Sequence, residues 1–164
     1  MSDSIALRAL YAIRTRLQAI DGNSPYNTAA GANIFISRAT VDDSLLPCLI
    51  LWAGDETAAA SSGSAPAAGQ SQAMRMSLDV NVEGHVSAAQ SNTGEQLEKI
   101  KADIKRALLL FDQPTLKDGL FPIGPLIYVG ATPLPREDGD VTESVQCRFR
   151  VTYTEKFGDP DATK

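Results

Sequence analysis

Two long segments of the chain alternate strictly between apolar and polar residues, and this pattern constrains the fold more than any other feature. The apolar positions of the first segment, "MRMSLDVNVEG" at 74–84, are Met74, Met76, Leu78, Val80 and Val82. Those of the second, "ESVQCRFRVTYTEKF" at 143–157, are Val145, Cys147, Phe149, Val151 and Tyr153. A period of two predicts β-strands with one apolar and one polar face. Such strands are typical of an antiparallel sheet that is covered on one side.

The first alternating segment is long for a domain of this size. From Gln72 to His85 an extended strand would span about 46 Å, whereas a compact domain of 164 residues has a diameter of roughly 40 Å. The strand must therefore cross the whole domain, bend, or project from it. Gly84 is the position where we expect a bend or a bulge.

Two amphipathic helices are predicted to cover the apolar face of the sheet. Apolar residues recur at three- and four-residue steps over residues 5–20, where Ser2 or Asp3 is the expected N-cap, and again over residues 97–111. Both segments carry polar and charged residues at the remaining positions. This spacing predicts helices that bury one side each.

Shorter apolar runs complete the predicted fold. Strands are expected at 33–38, 46–53 and 126–134, and the second of these is apolar at consecutive positions, which indicates a strand covered on both faces. A turn-rich passage is expected at 115–125. The resulting order, α-β-β-loop-β-α-β-β, predicts an α+β fold with a mainly antiparallel, one-sided sheet under two helices.

One segment between the strands is unusual in composition. Residues 54–72, "GDETAAASSGSAPAAGQSQ", consist mostly of Ala, Ser and Gly and are predicted to form a long flexible loop. We expect a single domain over residues 1–164, with residues 158–164 as a C-terminal tail.

The chemistry-bearing residues do not predict an active site. Fifteen basic and twenty acidic side chains give a net charge of −5, so the whole chain is not expected to attract a phosphate backbone. His85 is the single histidine, and no nucleophile–histidine, phosphate-loop or zinc motif is present. Cys48 and Cys147 are expected to be buried free thiols. The sequence therefore predicts no catalytic residue, no metal and no cofactor.

Charged residues on the two long strands form the candidate site. If these strands are neighbours, Arg148 and Arg150 could face Asp79 and Glu83 as cross-strand pairs of opposite charge. The alternative is a solvated sheet face without a partner. The hypothesis of a subunit interface comprises Asp55, Glu56, Ser61, Ser62, Arg75, Asp79, Glu83, Arg148 and Arg150.

Several motifs, in their order along the chain, are similar to those of one protein family. They are "LP" at 46–47 before a strand ending in "GDE" at 54–56, "ADIKRAL" at 102–108 in the second helix, and the closing "VQCRFRVTYTEKFGDP" at 145–160. With the Ala/Ser-rich loop and the long strand between them, they resemble the tail terminator (minor tail, tail completion) proteins of long-tailed bacteriophages.

This resemblance implies a structural protein of the virion and no enzymatic activity. It implies a homo-oligomeric ring, typically a hexamer, that caps the tail tube at the head–tail junction, ends tube growth and offers the surface for head–tail joining. The implied partners are the tail tube protein and the connector or neck proteins, with DNA passing through the lumen without sequence-specific binding. Assembly would take place in the host cytoplasm, without a membrane. The alternative function is that of another virion morphogenesis protein of similar fold, such as a head–tail connector, a neck component or a tube protein.

Overall fold

Six β-strands and two α-helices make up the part of the chain that the structure, a computed structural model, describes: residues 3–58, 73–89, 91–110, 112–136 and 140–156. In chain order they are α1 (Ile5–Leu17), β1 (Ile34–Ile36), β2 (Cys48–Ala58), β3 (Ala73–Ser87), α2 (Thr93–Leu108), β4 (Thr115–Asp118), β5 (Phe121–Pro133) and β6 (Thr142–Lys156). Short 3-10 helices at Ala30–Ala32 and Asp43–Leu45 flank β1.

The six strands form one sheet in the order β1-β2-β3-β6-β5-β4. β1 and β2 are parallel, and every other neighbouring pair is antiparallel. Both helices pack against the sheet and contribute to one hydrophobic core. The predicted α+β class with a mainly antiparallel sheet is therefore confirmed.

The two alternating segments are the paired central strands β3 and β6. Their pairing runs from Ala73 opposite Lys156 to Ser87 opposite Thr142 without a register shift. Because β3 is paired along its whole length, it crosses the domain and does not project from it. Its even-numbered residues are buried from Met76 to Val86, as the alternation predicts.

Gly84 has a different role from the predicted bend or bulge, and that prediction is wrong. The residue stays in register with both neighbouring strands, opposite Val145 on β6 and Leu49 on β2. A Cβ atom at this position would lie 3.0 Å from the side chain of Ile100 on α2. The missing side chain therefore lets α2 approach the sheet closely.

The hydrophobic core lies between the helices and one face of the sheet. Phe149 of β6 is fully buried near its centre and meets Tyr128 of β5 edge-to-face, with 5.5 Å between the ring centroids. The predicted double coverage of the second short strand is confirmed at its start, where residues 48–51 are all buried. Trp52, the next residue of this apolar segment, is only partly buried and lies on the face of the sheet opposite the helices.

Asp103 joins α2 to the loop that follows α1. Its carboxylate is completely buried and accepts hydrogen bonds from both the backbone and the side chain of Asn27 and of Thr28, over 2.8–3.0 Å. Arg106, one helical turn further on, donates to the same carboxylate at 3.0 Å and to the carbonyl oxygen of Pro25 at 2.6 Å. The carboxylate of Asp103 therefore ties Asn27 and Thr28 of this loop to the helix, and Arg106 ties Pro25.

Several predicted boundaries need correction. The passage at 115–125, expected to be turns, contains β4 and the start of β5. β2 extends to Ala58 and so takes residues 54–58 out of the predicted loop, while residues 59–72 and the predicted tail at 158–164 lie outside the described residues. The side chain of Ser4, and not that of Asp3, caps α1 by accepting a hydrogen bond from the backbone of Leu7, and Ser2 lies outside the described residues.

The two cysteines are free thiols on opposite faces of the sheet. Cys48 lies opposite His85 on β3, and Cys147 lies opposite Val82, whose side chain points to the other face. Both are buried, and burial raises the pKa of each thiol to about 11. The predicted buried thiols are confirmed, and the opposite orientations prevent a disulfide between them.

Slow thiol labelling of the folded protein follows from this burial. At a pKa of about 11, only about one thiol in a thousand is ionised at pH 8. We expect a chromogenic disulfide reagent to label neither cysteine on the minute timescale in buffer and both in guanidinium chloride. Thr154→Cys, at an exposed position of β6, is the matched control and should react at once. Fast labelling of native Cys48 or Cys147 would contradict the burial described here.

Candidate functional site

The face of the sheet opposite the helices carries a band of polar side chains along β3 and β6, here called the β3–β6 polar face. Its members on β3 are Arg75, Asp79, Asn81, Glu83 and His85, and their respective cross-strand partners on β6 are Thr154, Arg150, Arg148, Gln146 and Ser144. Each pair points to the same side because residues directly opposite in an antiparallel ladder share a face.

Asp79 and Arg150 form the predicted cross-strand ion pair. The Nε atom of Arg150 lies 2.7 Å from Oδ1 of Asp79, and its Nη2 atom lies 3.2 Å from Oδ2. This two-point contact lowers the pKa of Asp79 and raises that of Arg150, in both cases chiefly through the hydrogen bond. Both side chains remain partly exposed to solvent.

Glu83 does not pair with Arg148, which the sequence had suggested. Its carboxylate accepts a hydrogen bond from Gln146 at 3.2 Å and lies 3.4 Å from Nε2 of His85. The buried indole nitrogen of Trp52 is also nearby, without reaching normal hydrogen-bond geometry. Burial alone would raise the pKa of Glu83, but these neighbours outweigh it and the pKa is lowered.

Two arginines on this face are left without a counter-ion by the described residues. Arg75 and Arg148 are exposed and form no ion pair within the described part of the chain. The β3–β6 polar face has three arginines against two carboxylates, and these are Arg75, Arg148 and Arg150 against Asp79 and Glu83. The face is thus locally positive on a chain with a net charge of −5.

The remaining predicted interface residues lie elsewhere. Glu56 is opposite Leu78 and therefore points to the helix side, where it accepts a hydrogen bond from the hydroxyl of Tyr153. Burial and then this contact raise the pKa of Tyr153. Asp55 lies at the register shift of β2. The structure thus places Glu56 on the other face from the charged strand residues and Asp55 in the bulge opposite Asp79, while Ser61 and Ser62 fall outside the described residues.

The single histidine borders a cavity of about 310 Å³ at one end of the polar face. His85 lies opposite Ser144 in register, and both residues line this cavity with Glu143 and Arg136. Over the described ranges, Ser144 forms no hydrogen bond with His85, so a nucleophile–base contact of the kind that acyl transfer uses is not made here. Within the same ranges, no group of three or more His, Cys, Asp or Glu side chains could hold a metal ion.

Sequence reasoning found the ion pair of the polar face but missed its more buried part. The predicted site included neither Gln146 nor Trp52. A signal existed for Trp52, because it follows Cys48 and Ile50 at two-residue steps and so shares their face.

No helix of the described residues is long and apolar enough to cross a membrane.

The fold and the charged face define a small α+β domain with a sheet covered by helices on one side and a positive band on the other. This fold is similar to that of a chain in a solved structure titled "Virion of native gene transfer agent (GTA) particle", with a TM-score of 0.50 and 14% sequence identity. The match covers 93% of this chain and 96% of that chain. No model of a known family and no curated protein matches the sequence.

Proposed function

We propose that this chain is a structural protein of a phage-like virion, and that it acts as the tail terminator. In this function it forms a ring on the completed tail tube, ends tube growth and offers the surface for head–tail joining. Its partners are other copies of itself, the tail tube protein and the connector or neck proteins. Its site of action is the virion tail at the head–tail junction.

The end-to-end likeness in fold to a chain of a gene transfer agent virion carries this proposal. The match spans nearly the full length of both chains, so it concerns the whole domain and not a common substructure. The motif order of the sequence supports the narrower role, because it resembles that of tail terminators. The same likeness in fold also supports the alternative functions of a connector, neck or tube protein. These functions differ from that of a terminator in the assembly that the subunits form.

Assembly of the purified protein tests the proposal against its alternative. A terminator should give monomers or closed rings in light scattering and negative-stain microscopy, and it should bind the ends of purified tail tubes. Long tubes would contradict the terminator function and favour a tube protein, because a heterologous contact that does not close gives open filaments. If the protein bound neither the ends nor the walls of tail tubes, the proposed function in the tail would be wrong.

Reversing the charge of Arg148 should impair assembly without unfolding the subunit. Arg148 forms no ion pair with the described residues and acts on Asp79 only through its charge, so Arg148→Glu changes the β3–β6 polar face without removing a hydrogen bond or salt bridge. We expect ring formation or tube-end binding to weaken about tenfold, with an unchanged melting temperature. Arg14→Glu, at an exposed position of α1, is the matched reversal on the helix side. If the two variants assembled equally well, the β3–β6 polar face would be a solvated surface without a role in assembly.

A further inference from the structure

The turn between β4 and β5 presents two large apolar side chains to solvent. Leu120 is 95% exposed and Phe121 is 66% exposed, at a tight turn in which Gly119 has a φ of +58°. Exposing side chains of this size is unfavourable in water unless another surface covers them. These three residues are called the hairpin tip below.

The hairpin tip is held in place by α1. The guanidinium of Arg8 lies 2.7 Å from the carboxylate of Asp118 and 5.8 Å from the centre of the Phe121 ring. These contacts fix the base of the turn, so little conformational freedom remains to be lost when a partner binds it. A rigid apolar tip of this kind is suited to insertion into a pocket.

An apolar pocket lies between α2 and the ends of strands β5 and β6. Its volume is about 170 Å³, and its walls are Leu97, Ala131, Pro133 and Val145. An apolar cavity of about 150 Å³ is large enough to hold benzene, so this pocket can hold one leucine side chain. It is called the α2–β5 pocket below.

The hairpin tip and the α2–β5 pocket cannot meet within one molecule. Phe121 and Pro133 are the first and last residues of β5, which separates them by up to about 40 Å of extended chain. The two features are complementary in size and polarity and lie at opposite ends of one strand. A contact between them therefore requires a second copy and joins the copies head to tail.

We propose that Leu120 of one copy inserts into the α2–β5 pocket of the next copy. This inference rests on the proposed self-assembly and names the contact that joins neighbouring subunits. Charges beside the two features are also complementary. Lys117 precedes the hairpin tip as an exposed cation without an ion pair among the described residues. Glu98 lies at the rim of the pocket, where it pairs with Lys101 of its own helix and is still 71% exposed.

Cross-linking between two single-cysteine variants tests the contact even where it is weak. Gly94 lines the pocket, and a Cβ atom there would meet no other atom within 4 Å, so Gly94→Cys leaves the fold intact. Leu120→Cys mixed with Gly94→Cys under mild oxidation should give at least ten times more disulfide dimer than Leu120→Cys mixed with Arg14→Cys, at an exposed position on the helix side. The native cysteines are buried and do not interfere. Equal yields in the two mixtures would overturn the proposal.

Mixing of two assembly-defective variants tests whether the contact is head to tail. Leu120→Asp spoils the hairpin tip, and Ala131→Phe fills the α2–β5 pocket from its own strand. Each variant alone should stay monomeric, and an equimolar mixture should form 1:1 dimers and nothing larger, because only one intact tip–pocket contact remains. Circular dichroism verifies that both variants fold. If Leu120→Asp still assembled like the wild type, the contact would be wrong.

The outcomes separate this inference from the proposed function. Wild-type rings that persist in Leu120→Asp would refute the contact and leave the terminator proposal standing. Specific cross-links without rings and without tube-end binding would support the contact and refute the terminator proposal. If Leu120→Asp lost tube binding while self-assembly was unchanged, the partner of the hairpin tip would be the tube protein, and the proposal of a second copy would be wrong.

Discussion

Asp103→Ala is expected to lower the free energy of unfolding by about 3–5 kcal/mol, the range found when one partner of a buried charged network is removed. The carboxylate is completely buried and accepts four hydrogen bonds from Asn27 and Thr28. Alanine would leave the buried donors of Thr28 without an acceptor, expose the Asn27 donors to competition from water, and leave Arg106 without its carboxylate. Chemical denaturation followed by circular dichroism measures the loss.

Two further variants make the Asp103 experiment specific. Glu98→Ala removes a mostly exposed carboxylate from the same helix and should change stability by no more than about 0.5 kcal/mol. Asp103→Asn keeps the shape but turns an acceptor oxygen into a donor amide, and it should lie between the other two. A loss below about 1 kcal/mol for Asp103→Ala would mean that the loop after α1 is held by other contacts.

The sequence predicted the centre of the fold because alternation reports directly on a sheet with one buried face. β3 and β6 each alternate through many residues, and their pairing places apolar residues on one side along the full ladder. β4 was missed since it is only Thr115–Asp118, too short for a period to be recognised, and lies in a stretch rich in Gly and Pro. The end of β2 was missed because its residues are exposed and small.

The candidate site was predictable in part, for reasons of register. Alternation alone places Arg148, Arg150, Asp79 and Glu83 on one face, and the structure confirms this. Which residues face each other depends on the register of the two strands, which no local pattern of β3 or β6 encodes. The register puts Arg150 opposite Asp79, and as a result Glu83 meets Gln146.

Asp103 is a charged residue whose burial was not predicted from the sequence. It was treated as one more polar position of an amphipathic helix, yet it lies three residues after Ile100 and four before Ala107, on the buried side of α2. Helical spacing therefore contained the signal, and only its donors, Asn27 and Thr28, were beyond reach. They are distant in the sequence and meet Asp103 only in the folded chain.

Phe149→Ala is expected to lower the free energy of unfolding by about 3–5 kcal/mol, as is usual for truncation of a fully buried phenylalanine. Phe149 lies at the centre of β6 with no exposed surface, and its ring packs edge-to-face with Tyr128. Alanine would leave a cavity between α2 and the sheet that the central strands cannot close, because β3 and β6 are each paired with a strand on both sides. Thermal and denaturant unfolding measure the loss.

Phe121→Ala makes the same chemical change at the hairpin tip and separates folding from assembly. Because Phe121 is 66% exposed, its truncation should leave stability within about 0.5 kcal/mol of the wild type. If apolar residues at the tip contact another copy, this variant should assemble more weakly while its unfolding curve stays the same. Equal destabilisation by Phe121→Ala and Phe149→Ala would mean that the hairpin tip belongs to the core of the monomer, and the reason for its exposure would be lost.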